Sequence, residues 1–89
     1  MNNKPFDKAA FKEKLDAQTS FPALYMFKFI VPKGQEEEVK SLFPMNEVIF
    51  KESAKGTYIS ATIKVMMKDS DAILKVYDEA SKIEGIISL

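Results

Sequence analysis

Leu24 to Pro32 is rich in aromatic and β-branched residues, with Tyr25, Phe27, Phe29 and Val31 on one parity and Leu24, Met26, Lys28 and Ile30 on the other. A period of two over aromatic and β-branched residues predicts a strand, and the single charge on the even parity assigns the odd face to the core. Asn46–Glu52 alternates as well, with Val48 and Phe50 against Glu47, Ile49 and Lys51. So does Thr57–Met67, where Ile59, Ala61, Ile63 and Val65 oppose Tyr58, Ser60, Thr62 and Lys64. Ser53-Ala54-Lys55-Gly56 separates these two runs. It is short and polar, and its glycine can supply a positive φ, so the pair reads as a β-hairpin. Ile86–Leu89 reads as a last strand.

Three segments have the helical period instead. From Lys4 to Gln18, Phe6, Ala10, Phe11 and Leu15 recur among lysines and acids, which predicts an amphipathic helix capped by Asn3 with Pro5 in its first turn. Phe21-Pro22 lies beyond its end. Gly34 opens a second helix of about ten residues, with Glu36, Glu37 and Glu38 in the first turn, Val39, Leu42 and Phe43 as its apolar stripe, and Pro44 beyond its end. A third helix follows the cap Asp69-Ser70-Asp71. Ala72, Ile73, Val76, Tyr77, Ala80 and Ile83 form its buried side, and Gly85 breaks it.

After the leading helix the order is strand, helix, strand, strand, helix, strand. This is the α+β, ferredoxin-like βαββαβ arrangement, a four-stranded antiparallel sheet with two helices on one face, plus an N-terminal helix. The natural division is residues 1–20, a helix and connection, and residues 21–89, the ferredoxin-like domain. The longest and most apolar strands, Leu24–Pro32 and Thr57–Met67, form the inner pair. The even-parity face then has no cover unless the leading helix or a partner supplies one. It carries Leu24, Met26, Ile30, Ile49 and Tyr58 together with Lys28, Lys51 and Lys64, and apolar clusters of this kind mark interaction surfaces.

Composition narrows the chemistry. The 89 residues carry 13 basic and 13 acidic side chains, every base is a lysine, and the chain has no Arg, His, Cys or Trp. Thiol and imidazole nucleophiles, Cys or His metal sites and bidentate guanidinium recognition are therefore absent. Zero net charge argues against a general phosphate-binding footprint, so nucleic acid is not the expected partner. The N-terminus lacks the apolar run of a signal peptide, and no stretch approaches a membrane span, so the expected location is the cytoplasm.

The candidate motifs divide between chemistry and structure. Lys55-Gly56 matches the start of an RNA-recognition signature, but the places requiring aromatics hold Thr57, Ile59 and Thr62, so no stacking platform forms. Consecutive helical residues point about 100° apart, so Glu36, Glu37 and Glu38 cannot converge on one cation; they complement the helix dipole. Phosphate chemistry of the acylphosphatase kind needs an arginine, which is lacking. Phe27, Phe29, Met66 and Met67 read as core packing. No catalytic residue, cofactor or metal is expected. Ser53, Tyr58 and Ser60 put hydroxyls beside Lys55 and Gly56, an arrangement that can meet an anion or simply close a hairpin.

Phe21-Pro22 before the first strand, the stretch Ser53-Ala54-Lys55-Gly56-Thr57-Tyr58-Ile59-Ser60, and the ending Val76-Tyr77-Asp78-Glu79 through Ile83-Glu84-Gly85-Ile86 resemble the YbeD family of small bacterial proteins of unknown function. The resemblance covers roughly residues 15 to 89, and Ser-x-Lys-Gly-x-Tyr-x-Ser is its most specific part. It implies a ferredoxin-like fold similar to ACT regulatory domains, which bind amino acids at dimer interfaces. It also implies a glycine-bearing effector loop after the first strand, the place that Gly34 occupies.

The expected function is a non-enzymatic regulatory or adaptor module that binds a protein partner or a second copy through the open sheet face and hairpin. A small-molecule sensor of ACT type, taking an amino acid or another anion, is the second reading. The residues expected to carry either role are Lys28, Gly34, Lys51, Ser53, Lys55, Gly56, Tyr58, Ser60 and Lys64.

Overall fold

The computed structural model describes residues 7–89. Its elements are α1 (Lys8–Gln18), β1 (Ala23–Pro32), α2 (Glu36–Leu42), β2 (Ile49–Glu52), β3 (Tyr58–Met67), α3 (Ser70–Ala80) and β4 (Ile87–Ser88). The strands form one antiparallel sheet in the order β2-β3-β1-β4, the ferredoxin-like arrangement, with β1 and β3 as the inner pair. β1 and β3 pair along their whole length, from Ala23 opposite Met67 to Pro32 opposite Tyr58.

The odd face of β1 is core. Phe27, Phe29 and Val31 are fully buried with Ala61 and Ile63 of β3, Val39 of α2, and Ile73 and Ala80 of α3. Phe27 sits at the centre of an aromatic cluster, its ring centroid 4.8 Å from Tyr25 and 5.4 Å from both Phe43 and Tyr77. Burying a ring of this size removes enough apolar surface from water to contribute about 2–3 kcal/mol.

Several boundaries differ from those expected. α1 starts at Lys8 because the Asp7 carboxylate accepts the Ala10 N–H at 3.1 Å; the Asn3 cap and the Pro5 turn lie outside the described residues. α2 has 7 residues rather than about ten, since Gly34, at φ +106°, makes a turn before the helix instead of opening it. β2 begins at Ile49, three positions later than the alternation suggested, and β4 is confined to Ile87–Ser88. The leading helix does not cover the sheet's second face. α1 packs on α3, with the Phe11 and Tyr77 rings edge to face at 5.9 Å and Lys8 paired with Asp78 at 2.7 Å.

The α1–α3 contact has a polar centre. The Ser70 hydroxyl, buried at the start of α3, donates to Asp16 at 2.7 Å and accepts from Lys12 at 3.1 Å. Those bonds hold the Asp16 carboxyl below the ordinary carboxylate range, the Ser70 bond contributing most and Lys12 next. Lys12 is raised by its bond to Asp16.

Candidate functional site: the open sheet face

Alternation along each strand and register between strands arrange the exposed face as rows. One row runs across all four strands: Lys51, Ser60, Ile30 and Ile87. The next places Ile49 beside Thr62 and Thr62 beside Lys28. Beyond it Met26 lies opposite Lys64, and Leu24 opposite Met66. Neighbours across strands lie about 5 Å apart and successive rows about 7 Å, so the face is a patch of mixed apolar and cationic side chains rather than scattered residues.

The apolar members are open to solvent, with Leu24 63%, Met26 48%, Ile49 60% and Met66 64% exposed. No acidic residue occupies an open-face position of the four strands. Among the described residues, Lys28, Lys51 and Lys64 have no ion-pair partner, whereas Lys8, Lys12, Lys33, Lys40 and Lys82 do. Charge that is balanced over the whole chain is thus unbalanced on this face.

At the hairpin end the face dips into a depression of about 580 Å³ whose lining includes Ile30, Lys51, Glu52, Ser53, Tyr58 and Ser60. Four of the residues singled out in the sequence, Lys51, Ser53, Tyr58 and Ser60, therefore meet. Lys28 and Lys64 share the face but lie further along it. Lys55 is exposed at the hairpin tip and lines no part of the depression. Gly56, at φ +70°, closes the turn, with its N–H bonded to the Ser53 carbonyl at 2.9 Å.

Gly34 belongs to the neighbouring turn, linked to the hairpin by the Lys33 N–H, which donates to the Thr57 carbonyl at 3.0 Å. Its own N–H donates to the Glu36 carboxylate at 2.8 Å and is thus already satisfied. The hydroxyls are engaged in a similar way: Ser53 accepts the Tyr58 N–H at 3.3 Å, and Ser60 donates to the Lys51 carbonyl at 3.3 Å. Glu52 pairs with Lys33 at 3.0 Å and raises that lysine's pKa, chiefly through the hydrogen bond and then through its charge. This carboxylate lines the depression beside Lys51, and its pairing with Lys33 was not visible from the hairpin motif.

Among the described residues, no group of three or more metal-ligating side chains converges, and no helix is long and apolar enough to cross a membrane. Sequence reasoning also missed the Ser70–Asp16–Lys12 junction and the Tyr25–Tyr77 hydroxyl pair at 3.0 Å, both of which join residues more than fifty positions apart.

The geometry defines a small α+β domain with one helix-covered sheet face and one open, lysine-bearing face. The chain belongs to the family described as "Protein of unknown function (DUF493)", which matches residues 16–89. It is similar to a UPF0250 protein of Shewanella piezotolerans (strain WP3 / JCM 13877), with 31% identity over 80 residues covering 82% of this chain and 91% of that protein. This is the YbeD family to which the hairpin and C-terminal motifs pointed. No solved structure matches the chain.

Proposed function

We infer that the protein is a non-enzymatic adaptor or regulatory module of the cytoplasm that binds a protein partner, or a second copy of itself, through its open sheet face. The observation that carries this reading is the patch itself, in which exposed Leu24, Met26, Ile49, Met66 and Ile87 are interleaved with three lysines lacking counter-charges. Burial of such apolar area is favourable at about 25 cal/mol per Å², and the lysines select among partners by charge. The test is the double substitution Met26→Glu with Ile49→Glu, made on surface positions that leave the core untouched. Light scattering and affinity capture from the native cytoplasm should lose an association that the unmodified chain makes. Identical behaviour of the two proteins would contradict the reading.

A sensor of ACT type is the second reading, favoured by the depression in which Lys51 meets the hydroxyls of Ser53, Tyr58 and Ser60. A thermal-shift screen over amino acids and carboxylates separates the two, because a ligand at 100 times its dissociation constant adds about 2.7 kcal/mol of stability. A specific shift supports the sensor. A flat screen supports the adaptor.

A further inference from the structure

Among the described residues, the outer edge of β1 is paired over only part of its length. β4 meets β1 with Ser88 opposite Phe29 and Ile87 opposite Ile30, and the Leu89 N–H donates to the Lys28 carbonyl at 2.9 Å. β1 continues to Ala23, but no described residue pairs with its Leu24–Phe27 portion on that side. In an antiparallel sheet the N–H and C=O of one residue address the same neighbour, and the direction alternates along the strand. Since the Lys28 carbonyl addresses β4, the N–H and C=O groups of Met26 and Leu24 face outward along the same edge. Sheet edges are ordinarily kept short, charged or covered. This stretch bears no charged residue, Lys28 standing just beyond it, and its Leu24 and Met26 side chains are exposed.

A second observation falls beside the first. A groove of about 540 Å³ lies between α1 and α3, lined by Lys8, Phe11, Leu74, Tyr77 and Asp78, and it reaches Ser88 and Leu89 beside β1. Ser88, opposite Phe29, has the helix-side parity and lines this groove. The next strand positions of that parity, opposite Phe27 and Tyr25, fall beneath the helix pair. Positions of the other parity lie on the open face beside Met26, next to Lys28 and one strand away from Lys64.

We propose that the free β1 edge and the α1–α3 groove receive an extended segment of a partner protein, antiparallel to β1, with apolar residues facing the groove and Asp or Glu on the open face. Backbone pairing supplies affinity, and alternate side chains supply selectivity. The proposal rests on the open-face reading for the lysines Lys28 and Lys64, and it adds the means of attachment.

The test uses the full chain and the synthetic peptide acetyl-Glu-Val-Glu-Ile-Glu-Val-amide, with binding followed by calorimetry and by amide hydrogen exchange. The register makes the glutamate amides point at β1 and the valine and isoleucine amides point away. Methylating the glutamate amide nitrogens should weaken binding by about tenfold or more, while methylating the others leaves it unchanged. The Met26 amide should exchange more slowly in the complex. A peptide with lysine in place of glutamate should bind more weakly. Equal affinity of the two methylated peptides, a Met26 amide already protected by a second copy, or no binding up to about 1 mM would overturn the proposal. Sensitivity to Met26→Glu with Ile49→Glu in the capture experiment would then still stand, so the two readings fail separately.

Discussion

The Ser70 hydroxyl donates to the Asp16 carboxylate at 2.7 Å across 54 positions of sequence, and through that bond α1 is fastened to the first turn of α3. Ser70 is only 1% exposed, so its hydroxyl has exchanged water for Asp16 and Lys12. A buried hydroxyl satisfied on both sides specifies where two helices meet, whereas apolar contacts alone tolerate sliding.

Replacing Ser70 with Ala should therefore free α1 before it harms the sheet. Amide exchange in residues 8–18 should accelerate while the β1 and β3 amides stay protected. The Asp16 carboxyl should titrate closer to the ordinary carboxylate value, because its largest stabilising partner is gone. Unchanged exchange in α1 would show that the hydroxyl does not hold the helix.

Acid should produce a milder version of the same loosening. The pKa of Asp16 is lower in the folded chain than the unfolded value of about 3.9, so its contribution is complete above that value and is lost as pH falls through the folded pKa. Carboxyl titration followed by NMR checks this: Asp16 should titrate below the ordinary carboxylate value, and the Ser70→Ala variant should shrink the difference, with Lys12 holding the remainder.

Alkali should act through Tyr77. Burial, and then its bond to the Tyr25 hydroxyl, push the Tyr77 phenol well above the usual tyrosine range. The folded chain then retains a proton that the unfolded chain releases, so stability is full below about pH 10 and declines as pH rises above it. Ultraviolet titration should find a phenol that ionises late or only with unfolding. In Tyr25→Phe it should ionise earlier but still late, because burial is the larger cause.

Two glycines with positive φ should respond differently to substitution. A Cβ on Gly85 would lie 2.7 Å from the Pro32 Cγ, while one on Gly34 would meet nothing within 4 Å. Gly34→Ala should cost about 1 kcal/mol from backbone conformation alone. Gly85→Ala should cost about 1–3 kcal/mol more in denaturant unfolding, since Pro32 at the end of β1 must also move. Equal losses would contradict the contact.

The sheet was legible because aromatic and β-branched residues recur with a period of two in β1 and β3, and Phe27, Phe29, Ile59 and Ile63 are buried where that parity put them. Lys28, Lys51 and Lys64 share the open face for the same reason. What escaped were features created by distance in sequence. Neither Asp16 nor Ser70 announces a partner, and the hairpin motif does not say that Glu52 will draw Lys33 to its side. Met66, expected in the core but exposed opposite Leu24, and Ile87 completed the patch only once the register was known. The helix ends drifted where a turn residue competed, as Gly34 did before α2.

The central claim is that the open face is where this protein meets its partner. Its most direct test measures association of the unmodified chain against Met26→Glu with Ile49→Glu, with Lys75→Glu on α3 as a helix-side control and circular dichroism to establish that all three fold alike. Loss of association in the open-face variant alone is the predicted result. Equal association of all three, or loss only in the Lys75→Glu protein, would contradict the claim.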